Sequence, residues 1–312
     1  MEQDTIWPTM IFVKQKDHVH MHVEASDEGI TKEISDFFTF EVPGASFMPS
    51  YRNRHWDGKI RLYNLSRREL YVGLLPYLLE FAKQLEYEVK LEMGEIGEEM
   101  SRDEVKEFAS RLKLHSNWKP IQIRDYQEDA VFDAINGGRT LLLSPTASGK
   151  SLIIYNLARY HHALGRKQLI VVPTTSLVEQ MYGDFADYST HNGFDVSKYC
   201  HRIYGGKEKT NKADIVISTW QSIYKYPKKW FEEFDVVYGD EAHLFKAKSL
   251  MTLMDKCTNA RFRIGTTGTL DGTKTHRLVL EGVFGKVYKV TTTKKLMDKK
   301  ELADLKIVCM LV

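Results

Sequence analysis

Cysteine is scarce in this chain. Among its 312 residues only Cys200, Cys257 and Cys309 are cysteines, and none of them lies in a CxxC or Cys/His spacing that would hold zinc. A sparse, odd set of cysteines excludes a disulfide-stapled secreted scaffold. We therefore expect reduced thiols in a reducing compartment.

Long hydrophobic runs are also missing. No apolar stretch approaches the roughly 20 residues that cross a bilayer, and the start, MEQDTIWPTM, has no apolar core of a secretory signal. The sequence contains no internal repeat and no low-complexity tract. With 43% hydrophobic and 28% charged residues, the composition predicts a soluble, cytoplasmic globular protein.

A large net charge is absent too, since the formal value is only +2. The local distribution is less even. Residues 51–71 carry six basic and two acidic residues, a net +4, whereas residues 86–107 carry nine acidic and three basic residues, a net −6. A basic patch followed by an acidic stretch is therefore predicted.

The hydrophobic pattern divides the chain into regions. Residues 1–90 combine alternating and helical patterns, which predict a small α+β domain with a strand pair turning near Lys16 and Asp17. Residues 58–65 are predicted as another strand, and residues 30–43 are ambiguous between helix and strand. We expect residues 91–116 to form an acidic linker with one helix and residues 117–304 to form a larger domain.

In the larger domain, aliphatic runs alternate with amphipathic helical stretches. The runs cover residues 140–144, 168–173, 201–206, 214–219, 235–240 and 261–268. This alternation predicts an α/β fold with a parallel sheet flanked by helices. Ligands of such sheets bind beyond the carboxyl ends of the strands, where every motif described below falls.

The stretch SPTASGKS, residues 144–151, lies between a predicted strand and a predicted helix, the context that a phosphate-binding loop requires. Backbone amides at the start of the helix are expected to face phosphate groups. The residues predicted to bind nucleotide here are Thr146, Ala147, Ser148, Gly149, Lys150 and Ser151. Lys150 would neutralise the β and γ phosphates and Ser151 would ligate Mg²⁺. Ser144 stands where the usual motif has glycine.

A second acidic motif, DEAH, follows the predicted strand at residues 235–240. Asp240 is suited to hold Mg²⁺ through water, and Glu241 to orient and deprotonate an attacking water. We expect Lys150 and these two carboxylates to converge from neighbouring strand ends on one magnesium-bound ATP.

The order of these motifs resembles the first RecA-like domain of superfamily 2 helicases, over residues 118–290. The resemblance implies that Arg124 and Gln127 belong to an adenine-recognising Q-motif, with Gln127 as the bidentate reader. It further implies that His243, Thr267 and Thr269 couple the DEAH motif to contacts with the nucleic-acid strand. The sequence TGT at residues 267–269 is a variant of motif III. Residues implied to contact nucleic acid are Pro173, Thr174, Thr175, Thr219, Trp220 and Gln221. Alternatively, the two threonines at 174 and 175 simply cap a helix, and His243 is a core histidine.

In the basic patch, cations alternate with aromatic residues, a pattern that suits phosphate and base contacts. The candidates are Arg52, Arg54, Trp56 and Lys59. A hairpin anchored by Trp56 is an equally good reading of the residues. Joined to the helicase-like core, the segment WDGKIRLYN resembles the UvsW family of T-even-type bacteriophage helicases, which implies action on branched DNA: forks, Holliday junctions and R-loops.

Residues 305–312 resemble the opening strand of a second RecA-like domain, which would supply arginine fingers. We therefore expect the partners to be DNA and that second domain, and expect little ATP turnover from these residues alone. The alternatives are an RNA helicase, a restriction-type translocase, or a nucleic-acid-binding module without turnover.

Overall fold

The computed structural model describes residues 9–205, 213–246, 248–270 and 274–302. The described residues of the N-terminal part form six strands and three α-helices. In chain order they are β1 Met10–Gln15, β2 His20–Ala25, α1 Glu28–Phe37, β3 Thr39–Glu41, α2 Pro49–Arg52, β4 Lys59–Arg61, β5 Glu69–Tyr71, α3 Leu75–Gln84 and β6 Glu88–Glu92.

A four-stranded sheet in the order β5-β2-β1-β6 organises this part. The predicted strand pair is confirmed, because β1 and β2 run antiparallel and Lys16 and Asp17 lie in the turn. Strand β6 pairs parallel with β1 and ends at Glu92, so the predicted boundary at residue 90 falls inside a strand.

Two details differ from the prediction. The ambiguous segment is a helix, α1, followed by the short strand β3. The strand predicted over residues 58–65 is reduced to β4, which pairs with β3 rather than with the main sheet. Beyond it the chain turns, since Ser66 and Arg67 both donate hydrogen bonds to the Asn64 side chain.

A connecting segment follows, with α4 Arg102–Arg111 and the small strands β7 His115–Ser116 and β8 Lys119–Pro120. Helix α4 begins with a capping box in which the Ser101 hydroxyl accepts from the Glu104 amide and the Glu104 carboxylate accepts from the Ser101 amide. The helix packs against the first helix of the larger unit, so the segment is docked.

The larger unit alternates strands with helices. In chain order its elements are α5 Asp125–Gly137, β9 Arg139–Leu143, α6 Lys150–Ala163, β10 Gln168–Val172, α7 Thr175–Tyr188, α8 Val196–Tyr199, β11 Cys200–Ile203, β12 Ile215–Thr219, α9 Trp220–Ile223, α10 Lys228–Phe231, β13 Val236–Asp240, α11 Lys248–Lys256, β14 Phe262–Thr267, α12 Lys274–Phe284, β15 Val287–Lys289 and α13 Thr293–Asp298.

The strands form a seven-stranded sheet in the order β11-β12-β10-β13-β14-β9-β15, with every pair parallel. The predicted fold class and the six predicted aliphatic strands are confirmed. Strand β15 was not predicted, because three residues at a sheet edge carry no recognisable period. One expectation is corrected: β9 and β13, which precede the two nucleotide motifs, are not neighbours, since β14 lies between them.

Both faces of this sheet are buried, and β10, β12, β13 and β14 are buried at every position. That explains their continuous aliphatic sequences. In the part of the chain that the structure describes, no helix is long and apolar enough to span a membrane. Cys200 and Cys257 are buried and free. Cys309 and the segment predicted to open a second domain lie outside the described residues.

Candidate nucleotide and nucleic-acid sites

The loop between β9 and α6 has a backbone shape suited to phosphate. Ala147 and Gly149 adopt left-handed conformations, with φ of +65° and +78°. At Gly149 a Cβ atom would also lie 2.3 Å from Nε2 of Gln127, so glycine is required there for two reasons. The loop turns its chain into the N-terminus of α6, where amides and the helix dipole favour an anion.

Serine is accommodated at the first position of the loop. Ser144 is not among the residues with positive φ, so glycine is not required there. Its amide donates to the Thr267 carbonyl at 2.8 Å, and its hydroxyl lies 2.5 Å from the Ser148 hydroxyl. The substitution thus adds a hydrogen bond inside the loop and leaves the turn intact.

Lys150 and Glu241 meet, as the sequence predicted. The Nζ atom of Lys150 lies 2.6 Å from Oε1 of Glu241, and their side chains are 18% and 29% exposed. They reach each other across the end of β14, because they follow strands on either side of it. Glu241 has a φ of +51°, a strained conformation for a non-glycine residue that turns the chain directly after the buried strand β13.

Asp240 is buried behind this pair. Its Oδ1 accepts a 2.7 Å hydrogen bond from the hydroxyl of Thr266. Burial raises the pKa of Asp240, while the Thr266 bond and the nearby Lys150 charge act in the opposite direction. Carboxylate and hydroxyl oxygens are the donors that Mg²⁺ prefers, so the chemistry of this corner fits magnesium. Among the described residues no group of three or more His, Cys, Asp or Glu forms a metal cluster by itself.

Ser151, the other predicted magnesium ligand, has a different neighbour. Its Oγ lies 2.9 Å from the hydroxyl of Tyr188, at the end of α7. Among the described residues no hydrogen bond joins Ser151 to Asp240, and their shared role at Mg²⁺ stays a prediction.

Gln127 lies against the phosphate loop, and its role in reading the base stays a prediction. Its side chain is 2% exposed, its Nε2 donates to the Ser148 carbonyl at 2.8 Å, and its Oε1 accepts from the Arg124 amide at 3.0 Å. In this structure the nitrogen and the oxygen of the Gln127 side-chain amide both form hydrogen bonds with backbone groups, because the left-handed turn at Gly149 brings the loop directly against α5. Gln127 thus supports the phosphate loop.

Arg124 is placed against the C-terminal segment. Its guanidinium lies 3.0 Å from Oε2 of Glu301 and donates to the Tyr126 hydroxyl at 2.7 Å. The Tyr126 hydroxyl in turn lies 3.3 Å from the same Glu301 oxygen. No sequence signal pointed to Glu301, which is 177 positions away from Arg124.

His243 faces Thr267, as predicted. Its Nδ1 lies 3.0 Å from Thr267 Oγ1 and 3.3 Å from Oε2 of Glu241. Since the single Thr267 proton is donated to the Thr269 carbonyl at 2.8 Å, Thr267 accepts from His243, and Nδ1 carries the ring proton. The contacts run continuously from Lys150 to motif III, and the coupling role stays a prediction.

The two segments predicted to bind a nucleic-acid strand lie side by side. Nε2 of Gln221 donates to the Pro173 carbonyl at 3.4 Å, which joins the ends of β10 and β12. Thr174 is exposed and caps α7 by accepting from the Leu177 amide, and its contact with nucleic acid stays a prediction. Thr175 is exposed, whereas Thr219 is 4% exposed and its hydroxyl lies 2.8 Å from that of Ser222. Trp220 is half-buried and packs near Tyr224.

In the N-terminal patch Trp56 makes a local structural contact, although no hairpin turns at this point, since β4 pairs with β3. Its indole Nε1 donates to the Lys59 carbonyl at 2.8 Å and the ring is half-buried. Lys59 lies 3.9 Å from a Glu41 oxygen. Arg52 and Arg54 are exposed and have no acidic partner among the described residues. They border a recess of about 660 Å³, which is lined by Ser46, Tyr51, Arg52, Arg54, His55, Trp56 and Asp57.

Comparisons with known proteins agree with both parts of the chain. A family model described as "DNA helicase UvsW, N-terminal" matches residues 10–92, and one described as "Type III restriction enzyme, res subunit" matches residues 120–272. The chain is 37% identical over 298 residues to the ATP-dependent DNA helicase uvsW of Enterobacteria phage T4, covering 93% of this chain and 58% of that protein. It is 28% identical over 149 residues to the DNA 3'-5' translocase XPB2 of Sulfurisphaera tokodaii, covering 48% of this chain and 31% of that protein.

Solved structures give the same picture. The crystal structure of the UvsW helicase from bacteriophage T4 matches with a TM-score of 0.80 and 36% identity, covering 89% of this chain and 99% of that one. A second crystal structure of T4 UvsW matches with a TM-score of 0.81 and 35% identity, covering 90% of this chain and 57% of that one. The chain thus spans little more than half the length of the curated phage relative. From its RecA-like sheet, its helicase motifs and these matches over both parts, we conclude that the chain belongs to the UvsW family of superfamily 2 helicases.

Proposed function

We propose that this chain supplies the N-terminal domain and the first motor domain of an ATP-dependent DNA helicase that acts on branched DNA such as forks, Holliday junctions and R-loops. The observation that carries the proposal is the Lys150–Glu241 contact of 2.6 Å beside the phosphate loop. Family membership supports DNA as the substrate, since the phage T4 relative is described as an ATP-dependent DNA helicase.

The residues have separable roles in ATP hydrolysis. Lys150, now paired with Glu241, moves to the β and γ phosphates and leaves the Glu241 carboxylate to orient a water and take its proton. Asp240 and Ser151 would hold Mg²⁺, which when bound neutralises charge on the phosphate oxygens. The amides of residues 146–151 would cradle the phosphates. Gln127 supports this loop through its bond to the Ser148 carbonyl, and Arg124, with Gln127, is proposed to recognise the adenine when nucleotide binds.

Nucleic acid is proposed to bind along two surfaces. The first joins Pro173, Thr174, Thr175, Trp220 and Gln221 at the carboxyl end of the sheet, and Thr219 contributes its backbone, since its hydroxyl is buried. Contacts there reach the nucleotide site through motif III, where Thr267 and Thr269 meet His243. The second surface is the recess bordered by the two exposed arginines of the N-terminal patch.

A second RecA-like domain is proposed as the partner that completes the site. Arginine fingers from such a domain contribute about 10³–10⁵ in rate in related hydrolases. The described residues alone should therefore bind nucleotide but turn it over slowly. The host cytoplasm is the proposed location, which the buried, free cysteines at 200 and 257 support.

The motor assignment is tested in a protein that carries this chain together with a second motor domain. We expect Glu241→Gln to keep nucleotide binding and to lower DNA-stimulated ATP turnover by about 10²–10⁴-fold, the usual contribution of a general base. Lys150→Ala should weaken nucleotide binding as well.

A matched control is available in the exposed Lys167–Glu233 pair, 3.1 Å apart at the other end of the sheet. Lys167→Ala and Glu233→Gln should leave turnover unchanged. Persistent ATP turnover in both the Lys150 and Glu241 variants would contradict catalysis at this site and favour a binding module.

A restriction-type translocase is the second candidate function. It is favoured by the family model of the type III restriction enzyme subunit over residues 120–272. Competition binding with duplex DNA, forked DNA and RNA distinguishes these candidate functions. A preference for forks supports the branched-DNA helicase, a preference for plain duplex supports the translocase, and a preference for RNA supports an RNA helicase.

The patch is tested by its salt dependence. Replacing Arg52, Arg54 and Lys59 with alanine should weaken DNA binding and reduce the slope of log K against log salt by about 0.7–0.9 for each phosphate that the protein no longer neutralises. Alanine at the exposed Lys32 and Lys83 of the same domain serves as the control. An unchanged slope in the patch variant would leave this stretch with only a structural role.

A further inference from the structure

A tight hairpin joins β7 and β8 on the surface of the chain. The two strands pair so that Asn117 and Trp118 alone form the loop. Both residues have positive φ, +51° and +64°, as the type I′ turn of such hairpins requires. Asparagine tolerates this conformation, whereas a bulky side chain rarely adopts it. The turn by itself therefore favours glycine at position 118, and it does not account for tryptophan.

The Trp118 side chain contributes little to packing. It is 75% exposed, and its ring lies 6.0 Å from the ring of His191, which is exposed as well. His191 in turn lies 4.5 Å from the ring of His115. An aromatic residue that is both exposed and held in an unfavourable backbone conformation indicates a functional contact rather than a structural one.

The hairpin is held firmly in place. The amide of Asn117 donates to both carboxylate oxygens of Asp187 on α7, each at 3.0 Å. At the base of the hairpin, the Ile121 amide donates to the Leu114 carbonyl at 2.9 Å. A side chain on such a support loses little conformational freedom when it binds a partner.

Positive charge surrounds the hairpin. Residues 111–124 contain four basic residues and no acidic one. The two arginines among them are paired with glutamates, but Lys113 and Lys119 are exposed, and neither has an acidic partner in the part of the chain that the structure describes. A recess of about 670 Å³, with Lys113 in its lining, opens between the hairpin and α4. Unpaired cations beside an exposed aromatic ring suit a nucleic-acid strand, which offers phosphates and unstacked bases.

The support of the hairpin also leads to the proposed DNA surface. Asp187 lies in the last turn of α7, and the first residue of that helix, Thr175, lies on the surface proposed to bind DNA. The 14 residues of α7 span roughly 21 Å. Since a branched DNA has several arms, two contact regions at this separation can engage different strands of one substrate.

We propose that this hairpin is a further nucleic-acid contact, in which Trp118 stacks on an unpaired base of single-stranded DNA while Lys113 and Lys119 bind its phosphates. The inference rests on the proposed function and adds a binding element to it. Stacking needs no particular sequence, because every base has a π-face. The hairpin therefore binds unpaired segments of the substrate without reading their sequence.

Trp118→Gly tests the contact in this chain with a fluorescently labelled single-stranded oligothymidylate, whose binding is followed by anisotropy. We expect the affinity to fall by about five- to hundredfold, the range for loss of one stacked base. Because Asn-Gly is a preferred type I′ pair, urea unfolding of this variant should have an equal or higher midpoint. A lower midpoint together with unchanged affinity would mean that Trp118 is structural, and it would overturn the proposal.

Trp118→Phe provides a second measurement that does not depend on stability. Phenylalanine keeps a stacking face, so most of the affinity should remain, whereas the quenching of tryptophan fluorescence by DNA should decrease. Equal quenching in the wild type and this variant would overturn the proposal. Lys119→Ala should reduce the slope of log K against log salt by about 0.7, the value for one phosphate of a single strand.

Controls separate failure of the hairpin contact from failure of the proposed function. Phe12→Ala removes another exposed aromatic ring, 42% exposed on β1, and should leave the affinity unchanged. A wild-type chain that binds no DNA would overturn the proposed DNA function and the hairpin contact with it. If the wild type binds and Trp118→Gly binds equally well, only the hairpin contact is overturned, and a protein partner becomes the ligand to seek there.

Discussion

His161 shows how burial alone changes the chemistry of a residue. It is fully buried in α6, its ring packs on Phe262, and its Nδ1 accepts from Arg166 at 2.9 Å. Burial, assisted by the Arg166 charge, lowers the pKa of His161 to about 3. The imidazole is therefore neutral in the folded protein over a pH range in which the unfolded chain would protonate it.

The consequence is a pH-dependent stability. Between pH 6.5 and 3 the unfolded state binds one more proton at this residue, so its contribution to the free energy of unfolding falls as pH falls, by about 1.4 kcal/mol per pH unit. We expect His161→Gln to flatten the pH dependence of urea unfolding between about pH 6 and 4.5 by that amount. The exposed His55→Gln is the control, and an equal slope in wild type and His161→Gln would contradict the argument.

At the same scale, sequence reasoning predicted that Lys150 and Glu241 meet, and it missed the partners of other site residues. The pairing of Lys150 with Glu241 was predictable, because both follow strands that end at one edge of a parallel sheet. The partners of Gln127 and Ser151 were not predictable. They depend on side-chain rotamers and on the left-handed backbone at Gly149, and neither leaves a local sequence pattern.

At the scale of elements, helix α7 combines a structural start with a proposed DNA contact. The Thr174 side chain accepts from the Leu177 amide, whereas Thr175 occupies the first helical position. Thr174→Ala should lower the free energy of unfolding by about 1 kcal/mol, the usual value of an N-cap. Urea unfolding measures the change.

The neighbouring threonine is the natural control for this experiment. Thr175→Ala should change stability by no more than about 0.5 kcal/mol, as for an exposed surface substitution. Thr174→Ser should restore the cap. Equal decreases at 174 and 175 would be inconsistent with the cap geometry.

Strands were the easiest elements to predict and short edge pieces the hardest. The buried strands of the large sheet have continuous aliphatic sequences because both of their faces are covered. Strand β15 has three residues, too few to establish a period, and β4 covers only three of the residues predicted as a strand over 58–65. Their strand character depends on the neighbour with which they pair.

At the scale of the whole molecule, the N-terminal part is packed directly on the motor. Leu278 and Val279 of α12 share the core of the small sheet. The Tyr77 hydroxyl donates to the fully buried Glu281 at 2.5 Å, and Arg277 contacts the same carboxylate at 3.1 Å. The recess at Arg52 and Arg54 thus belongs to a domain with a fixed attachment to the motor.

Gly73 lies at the closest approach between the two parts. A Cβ atom there would be 2.0 Å from the Glu281 carbonyl oxygen and 2.6 Å from that of Gly282. Since backbone must move to admit it, Gly73→Ala should lower the free energy of unfolding by about 1–3 kcal/mol, as overpacking does. Urea unfolding followed by tryptophan fluorescence measures the effect.

The same substitution at Gly183 gives the opposite expectation. Gly183 lies inside α7 with open space where its Cβ would be, so Gly183→Ala should raise stability by about 0.5–1 kcal/mol. A neutral result at Gly73 would show that the two parts can separate at little cost.

By itself, the sequence determined the α/β class, the order of the strands along the chain, the phosphate loop and the acidic motif, because these depend on local hydrophobic periods and on short contiguous motifs. Tertiary structure alone decided the placement of β14 between the motif strands, the burial of Gln127, the attachment of Ser151 to Tyr188 and the docking of Gly73 on α12. Each of these contacts joins residues that are distant in sequence and are brought together by strand order and helix packing. No local sequence pattern predicts such contacts.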